Sequence, residues 1–154
     1  MSRTLELSTT SARHTERIAA AMATVCGPGD LIALVGPLGA GKTRFVSGFV
    51  AALPGSDHVR VSSPTFTTVN TYPTTPPVFH MDLYRLAPGV DVDQLGYEEY
   101  TEGDGICLVE WFDRAPRVAP ADFLEIRFAL RAGSRRRLTL CAHGPRSRRL
   151  LPQR

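Results

Sequence analysis

The sequence predicts an α/β fold in which a buried strand runs into a phosphate-binding turn and then a helix. Three observations carry that expectation. Leu31 to Val35, "LIALV", is a continuous apolar run of strand length, as expected of a strand covered on both faces. "GPLGAGKT", Gly36 to Thr43, follows it directly. A helix is then expected from about Gly41 to Leu53, stopped by Pro54 and Gly55.

The remaining elements follow in order. "TLELS" (Thr4 to Ser8) alternates like a strand. Thr10 or Ser11 can cap a helix running to about Cys26, with Ile18, Ala19, Met22 and Val25 on one face. Gly27 to Asp30 break that helix. "VSSPTFTTVNTY" (Val61 to Tyr72) reads as a loop around Pro64 and then a strand rich in β-branched and aromatic residues. After the Pro73 to Pro77 turn, "VFHMDLY" is a second strand, so a hairpin is expected. Acid-rich "DVDQLGYEEY" (Asp91 to Tyr100) is helical in pattern, and "ICLVEW" (Ile106 to Trp111) is another buried strand. "FLEIRFAL" and "RRLTLCA" are two late strands around a turn at Gly133 and Ser134. With no internal repeat and no composition break, the expectation is one domain over residues 1–144 and a basic tail over 145–154.

Composition bounds the function. At 154 residues the chain is long enough for one self-sufficient core. No apolar run approaches the roughly 18 residues of a membrane span, and the start lacks the basic-then-apolar pattern of a signal peptide. Three cysteines without metal spacing (Cys26, Cys107, Cys141) fit a reduced, cytoplasmic setting, as small core residues. The net charge of +3 is uneven: residues 1–126 hold nine Lys and Arg against fifteen acids, whereas 127–154 hold nine arginines and no acid. Such an end can meet RNA or an acidic surface; the plainer alternative is a solvated terminus in an arginine-rich composition.

Lys42 is the only lysine, against seventeen arginines. It sits in G-x-x-x-x-G-K-[ST], the P-loop pattern, with the buried strand before it and the helix after it. The glycines let backbone N–H groups surround a phosphate, and the helix adds its positive dipole end. A compact ammonium can reach the β- and γ-phosphates where a planar guanidinium fits poorly, and the Thr43 hydroxyl is the usual Mg²⁺ ligand. The sequence therefore predicts nucleoside triphosphate binding.

Phosphoryl transfer also needs acids. "ICLVE" closes an apolar strand with Glu110, the Walker B pattern with Glu for Asp, and "VFHMD" ends in Asp82. Thr65, in the hydroxyl-rich "SSPTFT" loop, is the natural γ-phosphate sensor if that loop is a switch, and an ordinary turn is the alternative. Trp111 is a plug, an interface anchor or core. His80 shares a face with Asp82, and a strand histidine is ordinarily a satisfied polar group. Residues near Thr10 and Ser11, and Arg135 after the Gly133 turn, are candidates for the base side of the nucleotide. A GTPase is excluded, because its N-K-x-D motif needs a second lysine. A small-metabolite kinase remains as the alternative to a regulatory ATPase acting on a protein partner.

"GPLGAGKTRFVSGF", "VSSPTFTTVNTY", "HMDLYRL", "LGYEEY" and "CLVEW", in this order, resemble the TsaE (YjeE) family, from about Thr4 to Arg137. The resemblance implies a P-loop NTPase-like three-layer α/β fold with a central mixed, partly antiparallel sheet. It also implies an ATPase that uses ATP and Mg²⁺ and acts with TsaB and TsaD to form N6-threonylcarbamoyladenosine at adenosine 37 of tRNA, without being the transferase. In that frame the nucleotide lies on Gly36, Pro37, Leu38, Gly39, Ala40, Gly41, Lys42, Thr43 and Arg44. Further contacts fall at Thr10, Ser11 and Ala12, and at Gly133, Ser134 and Arg135. Thr43 and Glu110 are the metal ligands, Asp82 is the acid of hydrolysis, and Lys42, Glu110 and Thr65 complete the catalytic set. Contact with tRNA would be indirect, with the arginine-rich end as a direct route. Two positions depart from the family pattern: Pro37, usually Asp, and Arg44, often Thr. Neither replaces a side chain that P-loop chemistry requires.

Overall fold

The computed structural model describes residues 2–64, 69–85, 97–114 and 119–153. Seven strands form one sheet: β1 (Arg3–Thr9), β2 (Leu31–Val35), β3 (Val69–Tyr72), β4 (Val78–Asp82), β5 (Ile106–Glu110), β6 (Leu124–Leu130) and β7 (Arg136–Ala142). Their order is β1-β7-β6-β2-β5-β4-β3. The four central strands, β6, β2, β5 and β4, are parallel, while β7 and β1 on one flank and β3 on the other pair antiparallel. This is the mixed, partly antiparallel sheet that the family resemblance implies, and β3 with β4 is the hairpin expected from the residue pattern.

Each face of the sheet carries its own core, as a strand buried on both sides requires. Ile32 and Leu34 of β2 point to one face, where they pack with Phe45, Phe49, Ile126 and Leu140. Leu31 and Ala33 point to the other, with Met81, Val109, Phe112 and Tyr97. The first face is covered by α1 (Ala12–Ala23) and α2 (Lys42–Ala51). These helices approach so closely that a Cβ on Gly48 would lie 2.4 Å from the Glu16 carbonyl oxygen, which is why that helical position carries no side chain. The short helix α3 (Tyr97–Thr101) and a 3₁₀ turn over Phe112–Arg114 lie on the second face.

Two expectations are corrected. The first helix ends at Ala23, short of Cys26, so Val25 falls beyond it and is 46% exposed. The basic end is not a projecting tail. Gly144 leads into α4 (Pro145–Arg148), Ser147 is buried, and Leu150 and Leu151 join the core beneath α1. Arg146 Nε lies 2.7 Å from Asp30 Oδ1, and Arg149 Nη2 lies 3.1 Å from both Asp30 carboxylate oxygens. Asp30 is buried and also accepts the Gly27 N–H at 2.8 Å. A buried carboxylate needs such partners, and the C-terminal arginines supply them. Of the acid-rich expected helix, residues 91–96 lie outside the described set. Among the described residues no helix is long and apolar enough to cross a membrane.

Candidate nucleotide site

The site forms where the central parallel strands end. β2 runs into the glycine turn, and Gly36 passes so near β6 that an added Cβ would meet the Phe128 carbonyl oxygen at 2.7 Å and its Cβ at 2.9 Å. Gly41 is the N-cap of α2 and has no side chain with which to cap the first amides of that helix. Those amides and the helix dipole face a cavity of about 460 Å³ lined by residues 38–44, Ser63, Asp82, Tyr84, Glu110 and Trp111.

Four expected residues converge there. The Lys42 Nζ donates to the Gly36 carbonyl at 2.5 Å and the Pro37 carbonyl at 3.0 Å, and lies 4.0 Å from the Trp111 ring centroid. Burial pulls its pKa below the ordinary lysine value, while Glu110, Asp82 and Asp113 act in the opposite direction. The Thr43 hydroxyl donates to Glu110, 3.0 Å from Oε1 and 3.1 Å from Oε2. Asp82 and Glu110 are both buried, at the ends of neighbouring parallel strands.

Asp82 is held by its own chain and by a loop. Its Oδ1 accepts the Tyr84 N–H at 2.8 Å and its Oδ2 accepts the Ser63 hydroxyl at 3.0 Å. Trp111 adopts a left-handed backbone, φ 57°, a conformation costing an L-residue about 1–2 kcal/mol. Its N–H donates to the Leu34 carbonyl at 3.0 Å, which fixes it beside the phosphate turn. Its ring packs against Tyr84 with centroids 4.8 Å apart.

The other expected nucleotide contacts divide. Thr10 and Ser134 are brought together, the Ser134 hydroxyl donating to the Thr10 carbonyl at 2.9 Å. The Ser11 side chain caps α1 by accepting the His14 N–H, and Ala12 begins that helix. Arg136, next to the expected Arg135, is the arginine that reaches the glycine turn, 3.4 Å from the Gly39 carbonyl oxygen. Arg44 directs its guanidinium to Glu16 on α1 at 3.0 Å. Thr65 lies outside the described residues. Ser63, Tyr84 and Arg136 line or reach the site without having been singled out; Ser63 sits in the hydroxyl-rich loop and Tyr84 in "HMDLYR", which were the available signals.

The donor set is a carboxylate and a hydroxyl at the end of a phosphate-binding turn. Such hard oxygens suit Mg²⁺, which takes one or two protein ligands and completes its shell with water and phosphate. Among the described residues there is no group of three or more His, Cys, Asp or Glu that could hold a metal ion.

The chain is similar to known proteins over most of its length. A family model described as "Threonylcarbamoyl adenosine biosynthesis protein TsaE" matches residues 9–138. The tRNA threonylcarbamoyladenosine biosynthesis protein TsaE of Bacillus subtilis is 38% identical over 143 residues, 92% of this chain and 88% of that protein. The protein of the same name from Treponema pallidum is 33% identical over 84% of this chain and 95% of its own. Among solved structures, Bacillus subtilis YdiB superposes with a TM-score of 0.81 at 34% identity, covering 97% of this chain and 93% of that one. On the strength of matches that span nearly its whole length, the chain belongs to the TsaE family.

Proposed function

We propose that the protein is a cytoplasmic, Mg²⁺-dependent ATPase that acts with TsaB and TsaD in forming the threonylcarbamoyl modification of adenosine 37 in tRNA. The observation that carries the ATPase reading is the meeting of Thr43 and Glu110, 67 positions apart, directly beside Lys42 and the α2 N-terminus. The partners and the tRNA product come from the family relationship. Contact with tRNA is indirect in this reading, through the complex, with the arginine-rich C-terminal region as a direct route; two of its arginines, Arg146 and Arg149, also pair with Asp30.

In this mechanism the Gly36–Thr43 backbone binds the phosphates and Lys42 gives its charge to the β- and γ-positions. Thr43 and Glu110 would hold a magnesium ion, which would supply positive charge to the phosphate oxygens. Asp82 orients the attacking water or accepts its proton, with Ser63 and the Tyr84 N–H fixing the carboxylate. Trp111 shields one side of Lys42 from solvent.

The experiment is phosphate release from ATP and Mg²⁺, with this protein alone and with TsaB and TsaD. The expected result is stimulation by the pair that is lost in Lys42→Ala. Turnover only with a small hydroxylated acceptor would replace this reading with the kinase alternative.

A further inference from the structure

A buried hydrogen-bonded chain leads from Glu110 to the loop that carries Ser63. The His80 Nε2 lies 2.5 Å from Glu110 Oε2, and its Nδ1 lies 2.9 Å from the Tyr72 hydroxyl. The Tyr72 oxygen in turn accepts the Ser62 N–H at 3.3 Å. The Tyr72 hydroxyl also lies 3.1 Å from the Ser62 carbonyl oxygen, which accepts the Asn70 amide at 3.1 Å as well, so Tyr72 joins His80 to the Ser62 backbone. An ionised carboxylate only accepts, so Nε2–H is the donor to Glu110. Burial pushes the Tyr72 pKa up, so the phenol keeps its proton. His80 is 0% exposed, Glu110 3% and Tyr72 5%, so the Glu110–His80–Tyr72 bonds are shielded from water, while Ser62 at the far end is exposed. In such surroundings a bond that is not made is costly, and the chain resists distortion.

The other end of the path returns to the site. Ser63, next in sequence to Ser62, donates to Asp82, which is the register partner of Glu110. Both acids are therefore tied to one two-residue stretch, Glu110 through His80 and Tyr72 and Asp82 directly.

We propose that His80 and Tyr72 are positioning residues that hold the Glu110 carboxylate toward Thr43 and couple it to the loop at Ser62 and Ser63. The inference rests on the reading of Glu110 as a magnesium ligand. It adds that the ligand's orientation is set by the same loop that contacts the second acid.

The test is calorimetric ATP binding to the full chain, with Mg²⁺ and with EDTA, alongside steady-state kinetics and thermal melting. In Tyr72→Phe, which keeps the ring, affinity in EDTA stays within about twofold, while the gain from Mg²⁺ falls about tenfold, as for other partners of metal ligands. The same variant lowers kcat and leaves KM for ATP nearly unchanged. His80→Ala loses the Mg²⁺ gain, and His80→Gln, whose amide can donate where Nε2–H does, recovers most of it. Equal losses with and without Mg²⁺ would mean a merely structural role and overturn the proposal. Full Mg²⁺ gain in Tyr72→Phe and His80→Ala, with loss in Glu110→Ala, would overturn the positioning chain alone. Full gain in Glu110→Ala as well would sink the ligand assignment beneath it.

Discussion

Asp82 and Glu110 are register partners at the ends of the adjacent parallel strands β4 and β5. Parallel pairing places both carboxylates at the same edge of the sheet, where ligand sites of open α/β sheets form. Their environments differ. Glu110 faces Thr43 and His80, whereas Asp82 faces Ser63 and the Tyr84 amide. Two acids side by side with separate partners suit separate tasks.

Asp82→Asn keeps the shape and one oxygen acceptor but removes the charge. Hydrolysis should fall about 100-fold while Mg·ATP affinity changes little. Calorimetry paired with phosphate release checks this; a parallel loss in both would return Asp82 to a structural role.

Lys42→Arg tests why the only lysine sits where it does. The guanidinium must fit between two carbonyl acceptors and the Trp111 ring. Its planar fork does not match that narrow arrangement, so ATP affinity should drop roughly 10- to 100-fold, the worth of a charge-assisted contact. Wild-type affinity in a direct titration would show that any cation suffices.

Asp30→Ala removes the acceptor for Gly27, Arg146 and Arg149 and should cost about 2 kcal/mol of stability, the range for charge-assisted bonds to a buried group. Urea unfolding measures it. The nucleotide site lies elsewhere in the fold, so ATP affinity of the folded variant should not move.

Alkaline pH should destabilise the fold. Burial pushes the Cys26 and Cys107 thiols from 9.0 up to about 12, and it raises Tyr97 and Tyr72 in the same sense. Below pH 9 the thiols are protonated in both states, and their contribution to stability is fully present. Between 9 and about 12 the unfolded chain releases its thiol protons while the folded one retains them, so stability falls as pH rises. The denaturation midpoint should decline across that window, and less steeply in Cys26→Ala/Cys107→Ala. A flat profile would contradict the burial of these thiols.

The parts of the site legible in the sequence are those encoded by neighbours along the chain. β2, the glycine turn and α2 form one contiguous stretch whose residue types state their own geometry. Glu110 was legible because four apolar residues closed by an acid describe a buried strand reaching an edge. The Thr43–Glu110 and His80–Glu110 contacts were not, because they depend on how β2, β4 and β5 align, and register between parallel strands has no local signature. The same reason hid the role of the C-terminal arginines. Arg146 reads as solvated until Asp30, 116 positions away, is placed beside it. The apolar periodicity places Val25 on the helix because it continues beyond Ala23, the last helical residue.

The stacking of Lys42 on Trp111 gives the protein a built-in optical reporter. Each is the sole residue of its kind, so all indole emission originates 4.0 Å from the ammonium of the phosphate-binding turn. Any event that draws the lysine away changes the field on that one ring, and the emission shifts without a dye, a tag or a substitution.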